Sequence, residues 1–534
     1  MGQYLNPGNT LFTEALRSEI YVDKTELLAY TNRVLETKQK LICVSRPRRF
    51  GKSMTTEMMA AYYSRGCDST SLFERMKVSR TVDFTAHLNR HNVIYMDIQL
   101  ARSVAGSEGF SGQFLSYLQK QVIEELSQEF GEEMTRKDKS LAGVLQRIHA
   151  AAGERFIIII DEWDCLFREE KHNIALQKEY ITFLRSLFKG AQAEVCISLA
   201  YLTGILPIKK YGTESALNNF KEFTMVNPGQ MAEYMGFTEG EVAGLCARYG
   251  MDFAKARQWY DGYRFREETH IYSPRSIVEA MLNREFGNYW TQTETYESLK
   301  AYIDLNFDGL KDAIVRMLSG GQCEVDTGSF QNDMTTFKSR DDILTLLTHL
   351  GYLAYERDER SVFIPNEEVR EEFVRAVKNG GWDAIAGIIN RSRKLLEDTL
   401  AQREGQVAAG IAKAHSEAAS ILTYNDENAL SCVITLAYIS AREDYTFIRE
   451  LPSGEGFADI VFFPKRHSAK PAIVVELKWN KSAEGAIAQI KEKRYGTVLE
   501  EYGGEILLVG INYNKTKKLH SCKIEKHRKQ EIQA

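Results

Sequence analysis

Residues 41–53 read LICVSRPRRFGKS: a strand-type run, a basic loop, then glycine, lysine and serine where a helical pattern opens. A short apolar run without polar alternation predicts a strand covered on both faces, as in a parallel sheet between layers of helices. A loop joining such a strand to a helix can turn its backbone N–H groups inward. The helix N-terminus adds partial positive charge, so the place suits phosphate. The usual pattern, GxxxxGK[ST], supplies a lysine for the terminal phosphates and a hydroxyl for Mg²⁺. Here Lys52 and Ser53 have those two positions, Gly51 lets the backbone approach closely, and Pro47 fixes φ and stiffens the loop. Arg46 stands where the first glycine would be and must find a tolerated conformation there. The stretch Arg46, Pro47, Arg48, Arg49, Phe50, Gly51, Lys52, Ser53 and Met54 is the candidate nucleotide site. The plainer alternative is a basic turn before a helix.

A second segment weighs against that alternative. RFIIIIDEWD (155–164) is a buried-type strand that delivers Asp161 and Glu162 at its C-terminal end. In nucleoside triphosphatases such an Asp holds the Mg²⁺ water shell and the next Glu polarises the attacking water. A third strand ends at Thr203-Gly204, where Thr203 is a candidate to sense the γ-phosphate, or else an ordinary strand end. The runs 41–45, 92–98, 156–160 and 195–204, with helical stretches between them, predict an α/β parallel sheet over residues 1–230.

Length sets a prior of about 150 residues per domain, hence three or four domains. Residues 231–340 read as a helical lid region. Residues 341–380 give a helix and two strands around the polar turn Arg357–Arg360, a winged-helix-like outline. Residues 381–420 read as a helical connector and 421–534 as a separate small α/β unit. In that last unit the strand GFADIVFFP carries Asp459 and the strand AIVVELKW carries Glu476 and Lys478. Residues i and i+2 of a strand share a face, so Glu476 and Lys478 project together and Asp459 on a neighbouring strand can join them. Two carboxylates suit Mg²⁺, a hard ion that prefers oxygen. The metal can activate water, and the lysine can position it or offset charge. Glu427, opening the preceding helix, is a candidate further ligand. Lys481, Lys491, Lys493 and Arg494 crowd the same region, either facing a phosphate backbone or forming a solvated face.

The net charge is −5, so nucleic-acid contact has to come from local patches. The stretch 513–534, with seven Lys/Arg against two Glu, is one candidate and otherwise a solvated end. Eight scattered cysteines without a CxxC pair argue against a zinc site or a disulfide framework and fit a reducing cytosol. There is no basic-then-apolar leader at the N-terminus, and no window nears the ~18 apolar residues of a membrane span. These features lead to the expectation of a cytoplasmic protein with no membrane partner.

YVDKTELL (21–28), RPRRFGKS (46–53), IDEWD (160–164), LTGI (202–205), GFTEGEV (236–242), WYDGYRF (259–265) and YSPRS (272–276) together resemble the AAA-ATPase-like family, whose members often carry a C-terminal PD-(D/E)XK nuclease-type domain. The motifs occur in the family's order along nearly the whole chain, and RPRRFGKS is usual there, so Arg46 is a family trait. The resemblance implies a P-loop NTPase sheet with a helical lid and winged-helix-like region, followed by a restriction-endonuclease-like domain. It implies ATP and Mg²⁺ as cofactors, with Lys52 and Ser53 on the phosphates and metal and Asp161 and Glu162 as the metal-and-water pair. It further implies a nuclease-type site at Asp459, Glu476 and Lys478. Gln489 and Tyr495 lie where related nucleases often carry Gln or Tyr, at a wider spacing than usual. Arg264 and Arg275 are candidates for a phosphate-facing arginine. Asp23 and Lys24 either form part of the nucleotide pocket or serve, as the favoured reading, as packing or lid contacts, and WYDGYRF reads as a buried helix end. The function expected is an ATPase switch coupled to cleavage of DNA phosphodiesters, with DNA as partner and a homo-oligomer as one assembly. The alternatives are a switch whose last domain binds a partner or nucleic acid without cutting, and an ATPase acting on protein partners.

Overall fold

The computed structural model describes residues 2–135, 139–208, 210–211, 214–266, 269–290, 296–305, 307, 309–332, 334–379, 382–418, 427–453, 456–465, 470–492 and 504–527. The chain divides into two compact units, one of residues 1–295 with 324–371, the other of residues 296–323 with 372–534.

The first unit is built on five parallel strands: β1 (Leu41–Ser45), β2 (Asn92–Asp97), β3 (Phe156–Asp161), β4 (Ile197–Gly204) and β5 (Lys221–Phe223). Their order is β2-β3-β4-β1-β5. Every residue of β1, β3 and β4 is buried, which is why these strands read as unbroken apolar runs. Strand β5, sequence KEF, is too short and polar to be legible as a strand. The helix α1 (Lys52–Tyr63) leaves the end of β1 and buries Met58, Met59, Tyr62 and Tyr63. Its buried tyrosine hydroxyls are satisfied: Tyr63 donates to Asn32 at 2.7 Å and Tyr62 to the Phe84 carbonyl at 2.8 Å.

The segment after the sheet is tied down by local chemistry. Helix Glu239–Tyr249 starts with a capping box between Thr238 and Glu241. Lys24 donates to Glu241 at 2.6 Å and to the Glu233 carbonyl at 2.9 Å, and Asp23 accepts from the Lys77 backbone at 2.7 Å. In WYDGYRF the Tyr260 hydroxyl donates to Gly287 and that of Tyr263 to Gly351. A Cβ on Gly262 would lie 2.2 Å from the Pro365 carbonyl oxygen. Helix Arg340–Leu350 and the antiparallel pair Ala354–Glu356 and Ser361–Phe363 form the winged-helix-like outline.

The second unit holds a five-stranded sheet: β6 (Tyr445–Ser453), β7 (Gly456–Pro464), β8 (Ala472–Trp479), β9 (Ile506–Asn514) and β10 (Leu519–His527), paired in that order. Strands β8 and β9 are parallel and the other pairs antiparallel. Helix α2 (Ala483–Glu492) links β8 to β9 and packs Ile487 and Ile490 on Val474 and Leu508. Residues 519–527 correct one expectation. They form an edge strand, not a solvated tail: His520 and Ile524 are buried, while Lys523 and Lys526 stay partly exposed. Helix Glu404–Ala418 packs here too: the Ile524 backbone donates to Glu404 at 3.0 Å, and His415 meets His520 at 2.9 Å. Among the described residues no helix is long and apolar enough to cross a membrane.

Candidate functional site

The loop after β1 has two left-handed residues, Arg49 at φ 67° and Gly51 at φ 84°, the second being the N-cap of α1. This backbone turns the start of α1 toward a cleft of about 450 Å³ lined by Arg48, Arg49, Gly51, Lys52, Ser53, Met54, Gln99, Glu162 and Arg168. Arg46, Pro47 and Phe50 face the other way. Arg46 is fully buried and donates to the carbonyls of Ser45 (2.9 Å), Phe223 (3.4 Å) and Met231 (3.1 Å), with its guanidinium 4.8 Å from the centre of the Phe265 ring. Burial pulls its pKa down to about 10. Its expected place in the phosphate-binding stretch is therefore corrected: Arg46 pins the loop's entry to β5 and to the segment beyond. Pro47 seats against Gly351, where an added Cβ would come within 2.8 Å of its ring, and Phe50 stacks edge-on against Tyr263.

Lys52 is 5% exposed; its Nζ donates to the Pro47 carbonyl at 3.0 Å and stands 3.9 Å from Glu162 Oε1. Asp161 is fully buried behind it, accepting from the Glu162 backbone at 2.9 Å and from Thr56 Oγ1 at 3.4 Å. Ser53 also hydrogen-bonds Asp161, so the two candidate metal contacts meet. Thr203 does not join them. Its hydroxyl is buried and donates to the Val44 carbonyl at 3.1 Å, so the proposed sensing role is corrected to one of holding β4 to β1. Arg264 lies over the Phe363 ring and Arg275 pairs with Glu279; neither lines the cleft.

Burial raises the Asp161 pKa to about 6, partly offset by the Ser53 hydrogen bond. A raised carboxyl pKa means the folded state binds the proton more tightly than the unfolded one. Stability is then fully present below about pH 4 and is lost as pH climbs through about 6. At pH 8 the buried anion costs about 3 kcal/mol, at 1.36 per tenfold. Asp161→Asn should thus raise the thermal midpoint of metal-free protein at pH 8, and the gain should vanish near pH 4. A midpoint difference that does not change with pH would refute this account.

Arg168, absent from the candidates read in the sequence, completes the cleft. Glu162 sits at φ 50° and its carboxylate is ion-paired with Arg168 Nη2. Arg168 Nε in turn bonds Asp164 Oδ2 at 3.0 Å, and that oxygen also accepts from the backbones of Ile205 (3.1 Å) and Leu206 (2.8 Å) just past β4. Gly204 makes room: a Cβ there would lie 2.4 Å from Asp164 Oδ1. The DEWD string was readable, but Arg168 carries no local signal beyond its i+4 spacing from Asp164.

In the second unit the ExK pair forms as expected. Glu476 and Lys478 are both buried, with Lys478 Nζ 2.8 Å from Glu476 Oε1. Asp459 stands one position beyond the Ile460–Val475 cross-strand pair and accepts from the Leu477 backbone at 2.7 Å. Gln489 on α2 also donates to Glu476 Oε1. Gly510 allows this approach. It pairs with Glu476 across β8 and β9, and any side chain there would meet the Ala483 carbonyl at 2.3 Å. Tyr495, Lys493, Arg494 and the side chain of Glu427 lie outside the described residues. Among the described residues no cluster of three or more His, Cys, Asp or Glu is placed around a metal position. Asp459 and Glu476 are the two carboxylates of the expected set whose side chains lie within the described residues.

Residues 11–213 match the family model described as a predicted AAA-ATPase, and residues 425–522 match that of the PD-(D/E)XK nuclease superfamily. The chain thus carries one region similar to the predicted AAA-ATPase family and another similar to the PD-(D/E)XK nuclease superfamily. An uncharacterized protein in the vnfD 5' region of Azotobacter chroococcum mcd 1 is 26% identical over 281 residues, 52% of this chain and 51% of its own length. The chain thus spans about half of that curated relative. The structure of the Aeropyrum pernix ORC2 protein in ADPNP–ADP complexes aligns over 70% of this chain and 98% of its own, at 10% identity and a TM-score of 0.29, a likeness too loose to carry any inference. The AAA-ATPase-like match includes β1 to β4 and the whole cleft, and the nuclease-superfamily match includes Asp459, Glu476, Lys478 and Gln489.

Proposed function

We propose that the protein binds and hydrolyses ATP in the cleft at Lys52 and that the state of this site controls an Mg²⁺-dependent nuclease site that cuts DNA phosphodiesters. The observation that carries the reading is the convergence of Lys52, Ser53 and Glu162 on one cleft, with Asp161 behind Ser53. The pocket fits a nucleoside triphosphate by its donors: the loop and helix N-terminus offer backbone N–H groups, and Lys52, Arg48 and Arg49 offer cations. Ser53 and Asp161 would hold the Mg²⁺, which supplies charge neutralisation when bound. Glu162 would orient and deprotonate the attacking water. In the second unit Asp459 and Glu476 would hold the metal, and Lys478 would offset charge on the phosphate. DNA is the proposed partner and the cytoplasm the proposed compartment.

The test is cleavage of plasmid and linear DNA with Mg²⁺ or Mn²⁺, with and without ATP, for wild type, Lys52→Met and Lys478→Met. The reading expects cleavage by wild type, none by the Lys478 variant, and an altered ATP response in the Lys52 variant. Glu476 Oε1 is already engaged by Lys478 and Gln489, which favours a second reading in which this domain binds nucleic acid without cutting. ATP hydrolysis with DNA binding but no cleavage under any condition would select it.

A further inference from the structure

Glu162, the residue placed to activate water, is held by Arg168, and Arg168 lines the same cleft. The arrangement is asymmetric. Arg168 Nε is anchored to Asp164, which two backbone N–H groups past β4 hold rigidly. The Nη2 end reaches Glu162, and Nη1 makes no hydrogen bond among the described residues. The guanidinium therefore keeps its Nε edge on Asp164 while the residue lines the cleft. Glu162 meanwhile lies between two cations, Lys52 at 3.9 Å and Arg168, so its charge is neutralised while nucleotide is away. A terminal phosphate entering beside Lys52 brings more negative charge than a carboxylate, and its oxygens match the planar fork of an arginine.

We propose that Arg168 is an in-chain arginine for the terminal phosphate: it exchanges Glu162 for the γ-phosphoryl oxygens of a bound nucleoside triphosphate and, in doing so, frees Glu162 for water. This rests on the ATPase reading above. A diphosphate leaves Arg168 on Glu162, so the exchange reports which nucleotide is present. The hydrolytic step itself is unchanged. Water oxygen bonds to the γ-phosphorus as the bond to the β-γ bridging oxygen breaks, the electron pair leaves with the diphosphate, and Glu162 takes the water proton. Because the arginine belongs to the same chain as the cleft, turnover needs no residue from a second copy.

The experiment measures binding of a non-hydrolysable ATP analogue and of ADP with Mg²⁺, together with steady-state hydrolysis over a hundredfold range of protein concentration. It compares wild type, Arg168→Ala, Arg168→Lys, Glu162→Gln and the Glu162→Gln/Arg168→Ala double variant. Wild type should prefer triphosphate over diphosphate, and Arg168→Ala should lose that preference and about 10²–10³-fold of kcat, with KM for ATP changing far less. Arg168→Lys should fall between the two, because a point charge cannot span both partners. Glu162→Gln releases the guanidinium in advance, so it should bind triphosphate several-fold more tightly than wild type, and the double variant should lose that gain. Specific activity should not depend on protein concentration. An Arg168→Ala protein that keeps both the triphosphate preference and kcat overturns the inference, as does activity that appears only above a concentration threshold. If Arg168→Ala does not fold, the Glu162→Gln and Arg168→Lys results decide alone: no gain in the first and wild-type behaviour in the second also overturn it. Wild type that binds no nucleotide would instead overturn the ATPase reading on which this one stands.

Discussion

Replacing Lys52 with methionine is expected to lower kcat/KM for ATP by at least about 10³-fold and to leave the protein no less stable than wild type. That loss corresponds to about 4 kcal/mol of transition-state stabilisation, at 1.36 kcal/mol per tenfold, within reach of a lysine bonding two charged oxygens. The stability half follows from burial. The Lys52 ammonium is 5% exposed and donates to a neutral carbonyl, and burial drags its pKa below the usual lysine value. Glu162 and Asp161 offset only part of that cost. In the absence of nucleotide the buried charge is therefore a burden, and methionine keeps the buried stem while removing it. The same argument predicts that nucleotide stabilises wild type but not the variant. Steady-state kinetics with thermal unfolding in the presence and absence of ATP measures both halves. A variant retaining more than a tenth of wild-type turnover would remove Lys52 from the chemistry.

How much of this could be read from the chain depends on where each constraint lies. The strands β1 to β4 were legible because burial on both faces leaves no charged residue in LICVS or FIIII, and that pattern survives in sequence. Strand β5 was not, because three residues that pair on one side carry no period. The tail strand β10 was hidden by its lysines, which guard an edge and look like solvated sequence. At the site, residues fixed by local backbone rules could be read: Gly51 for its positive φ, and Glu476 with Lys478 for the two-residue repeat of a strand. Arg46 and Thr203 were misplaced for a common reason. Both belong to motifs whose neighbours face the cleft, yet their own side chains are directed by long-range packing, Arg46 to Met231 and Phe265 and Thr203 to Val44. Arg168 was missed because its partner Glu162 already had a role with water, while Asp164, past the end of β3, carried none.

Glu476→Ala is expected to unfold the second unit more readily, so that loss of cleavage in this variant would not by itself identify a catalytic carboxylate. Lys478 is 8% exposed, and its ammonium has Glu476 Oε1 at 2.8 Å. Removing the carboxylate leaves that charge buried without its anion, a situation that costs about 3–5 kcal/mol. Gln489, only partly buried, loses the same acceptor and adds a smaller cost because water can replace it. Against a total stability on the order of 5–15 kcal/mol, the thermal midpoint should drop by about 10 °C or more. Glu476→Gln keeps an oxygen for both donors but also leaves the Lys478 ammonium without an anion, so its midpoint should fall between those of wild type and Glu476→Ala. The double variant Glu476→Ala/Lys478→Met removes charge and counter-charge together and should recover most of the stability lost in the single variant. Under the nuclease reading all three lose cleavage by more than about 10³-fold, since each removes a carboxylate that would hold the metal. Activity therefore separates from stability most cleanly in the double variant. A Glu476→Ala protein as stable as wild type would show that the Lys478 ammonium finds solvent or another anion. The pair would then no longer count as a buried, pre-formed site.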